Sequence, residues 1–139
     1  MKLMKLMFPL AMAVLATLAL TRSAAWAGSP HFVSCSVVPS NAPNELSVNG
    51  KEAGLGNEEQ VDIVLTATAL CINNGGKHPK AVNKTGVTAA ETVPVQNGKT
   101  DFTVTGTATF QPDCSPPMTI EFTDISVCDT TNDICCTLP

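Results

Sequence analysis

DFTVTGTATF, from Asp101 to Phe110, alternates along its whole length. Phe102, Val104, Gly106, Ala108 and Phe110 share one parity, and Thr103, Thr105, Thr107 and Thr109 share the other. Side chains of a strand point alternately to opposite faces, so the pattern describes a strand with one buried and one solvated side. Threonine suits the solvated side of a pleated surface. Just ahead stands Asn97-Gly98, a hairpin turn signal, with Thr92 to Gln96 as the expected partner strand.

The same period recurs elsewhere. In VDIVLTATALC, Val61, Ile63, Leu65, Ala67, Ala69 and Cys71 fall on one face, with Asp62, Thr66 and Thr68 on the other. Phe32 to Val38, Glu45 to Val48 and Met118 to Val127 read as further strands. In the last, Ile120 and Phe122 share a parity that Ile125 and Val127 break, and a bulge near Asp124 reconciles them. Gly50, Gly54 and Gly56 predict a bend or bulge between the Leu46–Val48 strand and the Val61 strand. An anion-binding nest of backbone amides there is disfavoured by nearby Glu52, Glu58 and Glu59. No stretch shows a convincing apolar period of 3.6. Six or seven short strands between turn signals predict an all-β fold, a single immunoglobulin-like antiparallel β-sandwich. The antibody-type signature is missing, since no Trp lies between paired cysteines.

The 139-residue chain opens with a different texture. Lys2 and Lys5 precede an apolar run from Met7 to Leu20, and Ala25 and Ala27 fit a small-residue cleavage rule. Residues 1–27 are expected to be a signal peptide, cut after Ala27, with a cut after Ala25 as the second choice. The 14-residue run is short of the roughly 18 a spanning helix needs, which disfavours an uncleaved anchor. Residues 28–139 are then the β-sandwich domain, secreted to the extracellular space or periplasm, with no membrane insertion after cleavage. Its five lysines stand against twelve carboxylates, a net charge of −7, and it lacks both Trp and Tyr. Those features argue against a nucleic-acid partner and against an aromatic stacking platform.

All six cysteines, Cys35, Cys71, Cys114, Cys128, Cys135 and Cys136, follow the cleavage site. An even number in an exported chain reads as a structural disulfide framework. No C-x-x-C occurs, and adjacent Cys135-Cys136 does not match usual zinc-ligand spacing, so no metal is expected. Six cysteines allow fifteen pairings. Two strand ends look alike: Thr66-Ala67-Thr68-Ala69-Leu70 runs into Cys71, and Thr107-Ala108-Thr109-Phe110 runs toward Cys114. If these strands point the same way, a Cys71–Cys114 bond staples one end of the sandwich. A vicinal Cys135–Cys136 bond would strain the peptide between them, so those two should reach different partners. Such bonds add roughly 2–4 kcal/mol each to a domain with a thin Ala- and Gly-lined core.

The candidate binding loop follows Cys71. Asn73, Asn74, Gly75 and Gly76 permit tight backbone turns, and Lys77, His78, Lys80 and Lys84 form a local basic patch on an acidic chain. Loops at one end of a sandwich commonly carry binding. Asn83-Lys84-Thr85 fits the N-glycosylation sequon, which would place Asn83 at the surface. Asp129-Thr130-Thr131-Asn132-Asp133 offers oxygens of the kind calcium uses. It lacks the glycine and final glutamate of an EF-hand loop and reads as a polar turn. His78 and His31 have no triad partners in view, and no hydrolase, zincin or phosphate-loop motif occurs. No catalytic residue and no cofactor is expected.

Two segments resemble a group of small exported bacterial proteins of unknown function, common in actinobacteria. They are Lys51-Glu52-Ala53-Gly54-Leu55-Gly56-Asn57 and Cys71-x-Asn73-x-Gly75-Gly76-x-x-Pro79 followed by Asn83-Lys84. The resemblance implies an exported β domain with a cysteine-bearing Gly-rich loop, and brings no activity, cofactor or catalytic residue. The C-terminal VCDTTNDICC departs from that group. The expected role is non-catalytic: binding to an unknown protein or cell-surface partner, or a structural surface role. The alternative is a small secreted effector or inhibitor docking to a protein target through the Gly-rich loop.

Overall fold

The computed structural model describes residues 28–73 and 83–139. The expected signal peptide, residues 1–27, lies outside them. The described residues form seven strands and no α-helix: β1 (His31–Val38), β2 (Glu45–Ala53), β3 (Gln60–Ile72), β4 (Lys84–Pro94), β5 (Lys99–Thr107), β6 (Thr119–Asp129) and β7 (Ile134–Leu138). They pair in two antiparallel sheets, β1-β2-β5 and β4-β3-β6-β7, stacked as a sandwich.

The alternation read from the sequence is the packing pattern. On β3, Val61, Ile63, Leu65 and Ala69 are wholly buried, and Ala67 and Cys71 nearly so. On β5, Phe102, Val104 and Gly106 turn inward, while Thr103, Thr105 and Thr107 face solvent. The gap between sheets is narrow. A Cβ on Gly106 would lie 2.6 Å from Val87 Cγ1 of the facing sheet; within its own sheet, one on Gly50 would lie 2.4 Å from Cζ of its paired neighbour Phe102. Glycine at both places lets opposing groups approach where any larger residue would collide. The Phe102 ring lies over Gly50 and meets Phe32 edge-on, with centroids 6.0 Å apart.

The bulge near Asp124 is present. Thr68 pairs with Thr123 and Thr66 with Ser126, so Asp124 and Ile125 together oppose Ala67. Asp124 takes a left-handed backbone, φ 53°, and Ile125 and Val127 thereby reach the core.

Three expectations are corrected. The Asn97-Gly98 turn does form, with Gln96 and Lys99 exchanging backbone hydrogen bonds of 2.8 and 3.1 Å. Yet the strands beyond it do not pair as a hairpin in one sheet. β4 runs along β3 through eleven residue pairs, whereas β5 runs along β2 through nine. The turn therefore hands the chain across the core, so that Val87 of β4 and Gly106 of β5 face each other. Second, β2 does not end at Val48. It continues through Ala53, and Gly50 sits within it, with the bend confined to the segment from Gly54. Third, β5 stops at Thr107. Ala108 keeps one backbone bond, to Asn44 O at 2.8 Å, and Phe110 stays buried beyond the strand.

Candidate functional site

The topology sorts the connections into two ends. Glu45 of β2 pairs with Thr107 of β5, which brings the β1–β2 loop (residues 39–44) beside the β5–β6 loop (residues 108–118). Asn44 fastens the two, its Nδ2 donating to Ala108 O at 3.4 Å. β3 points to the same end, because β4 returns antiparallel to it and the tight turn then reverses into β5. Cys71, near the end of β3, is bonded to Cys114 of the β5–β6 loop, with Cα atoms 5.8 Å apart. The expected staple is thus present, and it joins one sheet to the loop leaving the other.

Around this disulfide lie two adjoining hollows of about 330 and 340 Å³, which share Pro43, Cys114 and Ile120. Asn44, Phe110 and Asp113 line the first, and Pro116, Met118 and Thr119 the second. Met118 Sδ rests 3.6 Å from Cys71 Sγ, so the thioether packs directly on the staple. The half of this cleft lined by Pro116 and Met118 is mainly apolar, and the half lined by Asn44 and Asp113 is mixed, with that one carboxylate. The volume of each half lies at the lower end of the range of small-ligand pockets.

Asn73 stands exposed at the exit of β3, beside this end. The rest of the candidate loop, Asn74, Gly75, Gly76, Lys77, His78 and Lys80, lies outside the described residues. Asn83 is half-buried at the start of β4, less open than the sequon reading expected. His31 is exposed, its Nδ1 2.8 Å from Ser29 O.

The opposite end is built from the segment 54–59, the turn 95–98 and the turn 130–133. A hollow of about 470 Å³ lies against the 95–98 turn, lined by Pro94, Gln96, Asn97, Lys99, Thr100 and Asp101. In the 130–133 turn, the wholly buried Asp129 caps its own chain. Its Oδ1 accepts from the backbone N–H of Thr131 at 2.8 Å and of Asn132 at 3.3 Å. Asn132 Nδ2 donates both to Asp129 Oδ2 at 2.6 Å and to Glu58 Oε2 at 3.0 Å. Both Asp129 oxygens and Glu58 Oε2 are thus engaged by amides. Among the described residues, no three His, Cys, Asp or Glu side chains gather in a metal-holding arrangement.

Sequence reading missed Glu52 here. Glu52 is wholly buried and, as a carboxylate, finds no hydrogen-bond donor for either oxygen. Burial pushes its pKa up to about 8, reinforced by the Asp129 hydrogen bond and charge and then by Glu58. A protonated Glu52 becomes the donor itself, with Asp129 as its acceptor across the sheet gap. Its parity was the available signal: Glu52 follows Leu46, Val48 and Gly50 on the inward face, once β2 is continued past Val48.

Four cysteines are bonded. Cys128 and Cys135, a directly opposed cross-strand pair, join β6 to β7 with Cα atoms 4.0 Å apart. Cys135 thus bonds across the strands and not to Cys136. Cys35 and Cys136 are unbonded in this structure, short of the full set of disulfides expected. Disulfides accord with an oxidising compartment. Among the described residues, no helix is long and apolar enough to cross a membrane. Compared with known proteins, the chain matches no family model, no curated protein and no solved structure, and its fold and surface chemistry alone carry the functional reading.

Proposed function

We propose that this is an exported, non-catalytic binding protein, an immunoglobulin-like sandwich that engages a protein or cell-surface partner through its Cys71–Cys114 end. The observation that carries the reading is the grouping at that end. Two described loops, 39–44 and 108–118, and the exit of β3 converge on a cleft, apolar at its Met118 half, that is fastened by a disulfide. Loops on a rigid sandwich are well suited to recognition, since the sheets hold their ends and leave their tips free to vary. The strand order favours the immunoglobulin-like part of the proposal. A constant-type immunoglobulin domain keeps its fourth strand beside the fifth, and here β4 has moved across to border β3. The grouping of β1, β2 and β5 against β3, β6 and β7 is otherwise the same.

The test is retention. Wild-type protein and a Met118→Glu variant are labelled and incubated with the producing cells, then washed. The account expects wild type to be retained and Met118→Glu to be released, with both equally folded by circular dichroism. Equal retention of the two would remove the cleft from the site. A further variant, Lys77→Ala with Lys80→Ala, asks whether the basic residues after Asn73 extend that surface.

A further inference from the structure

Cys35 and Cys136 are far apart in the chain yet occupy matching places in the sandwich. β1 is an outer strand of its sheet and β7 is an outer strand of the other, and the two edges lie against each other. Cys35 pairs with Gly50, whose own partner across β5 is the buried Phe102, so Cys35 lies on the core-facing row of its sheet. Cys136 pairs with Val127, which pairs in turn with Leu65, both wholly buried. Directly opposed residues share a face, so Cys136 lies on the core-facing row of the second sheet. Each cysteine is thus the outermost inward residue of its row. Cys135, one position earlier, points the opposite way to its bond with Cys128.

We propose that Cys35 and Cys136 form a third disulfide, which ties the free edge of one sheet to the free edge of the other. The thiols are close enough to act on one another. Burial first, then the hydrogen bond and charge of Cys136, push the Cys35 thiol up to about 12. Exchange opens with one of the two thiols, as when Cys136 attacks an external disulfide. The oxidant is a small-molecule or protein disulfide of the thiol–disulfide exchange class. The Cys136 thiolate displaces one donor sulfur and forms a mixed disulfide. Cys35 then loses its proton, and its sulfur attacks the Cys136 sulfur and releases the second donor thiol. Two protons and two electrons leave the protein, and the donor disulfide becomes two thiols. Both cysteines are half-buried, so a donor can reach the pair. The vicinal Cys135-Cys136 is then a branch point, one residue locking the β6–β7 hairpin and the next locking hairpin to opposite sheet. This bond is independent of whether the loop end binds a partner.

The test counts thiols in the full chain. Folded protein is incubated with oxidised glutathione, freed of it, and alkylated without reductant before intact-mass measurement. The proposal expects wild type to take up no alkyl group and to weigh two hydrogens less than the form with two free thiols. Cys35→Ser should take up one, mapped to Cys136, and Cys136→Ser one, mapped to Cys35. Glutathione left on either lone cysteine is removed by a brief mild reduction before alkylation. Two alkyl groups on oxidised wild type, or a cross-link from Cys35 to any cysteine other than Cys136, would overturn the proposal. The wild-type count and its cross-linked peptides decide the matter even where a serine variant fails to fold.

Discussion

The two ends of this sandwich solve the same problem differently. At one end, long connections are gathered by a bond between residues 43 apart in sequence, around a cleft that is apolar at its Met118 half. At the other, short turns are held by amide-to-carboxylate hydrogen bonds and by a bond between residues only 7 apart. A long loop cannot satisfy its shape locally, so a distant cross-link stands in for secondary structure and leaves the tips free. A tight turn satisfies its shape locally, and among the described residues the hollow of about 470 Å³ beside the 95–98 turn has no disulfide-gathered loops around it. Under the proposed binding role, recognition belongs to the Cys71–Cys114 end and local order to the Asp129 end.

The largest expected effect separates the two staples. Chain entropy gives about 4 kcal/mol for a cross-link over 43 residues and about 2.5 kcal/mol over 7. The Cys71→Ala, Cys114→Ala double variant should therefore lose more stability than Cys128→Ala with Cys135→Ala, as read by denaturant midpoints. Equal losses would mean that the loops at the Cys71 end are ordered without their bond.

Acid–base behaviour sharpens the contrast at the other end. Glu52 is raised from 4.5 to about 8 in the folded protein, so the fold binds a proton that the unfolded chain releases. Its contribution is complete below about pH 4.5 and falls as pH rises toward 8. The slope is at most about 1.4 kcal/mol per pH unit for one proton, or about 2 kcal/mol between pH 6 and pH 8 after partial titration. Glu52→Gln keeps an amide donor for Asp129 and should flatten this dependence. Denaturant titrations of both proteins from pH 5.5 to 8.5 check it, and an unchanged slope in the variant would assign the proton elsewhere.

The smallest stability effect is expected at the cleft itself. Met118 is partly buried on the disulfide at the rim, so Met118→Glu should cost about 1 kcal/mol or less in thermal unfolding while changing binding. A larger loss would make Met118 a packing residue and not a contact residue.

Much of this architecture could be read from parity. β3 and β5 carry unbroken alternation, and the mismatch between Phe122 and Ile125 located a real bulge at Asp124. The Cys71–Cys114 bond followed from two strands entering loops at one end. β4 was mostly hidden because it is an edge strand whose inward face holds only Val87, the small Ala89 and Val93, with Glu91 exposed among them. β7 was hidden because Ile134-Cys135-Cys136-Thr137-Leu138 is too short to display a period. Which sheet β5 would join was not written in Asn97-Gly98, since the same tight turn serves a flat hairpin or a crossing between sheets. The cleft was equally hidden. Pro43 lies in one loop and Pro116 and Met118 in another some seventy residues later, and only the folded chain brings them together.

The most direct measurement compares the two ends in one assay of retention on producing cells. Met118→Glu and Pro43→Arg alter the Cys71–Cys114 end, and Asn97→Ala and Glu58→Gln alter the turn end. The account predicts that wild type and both turn-end variants are retained, while both cleft variants are released. A wild-type protein that washes away entirely, or turn-end variants released as fully as the cleft variants, would contradict it.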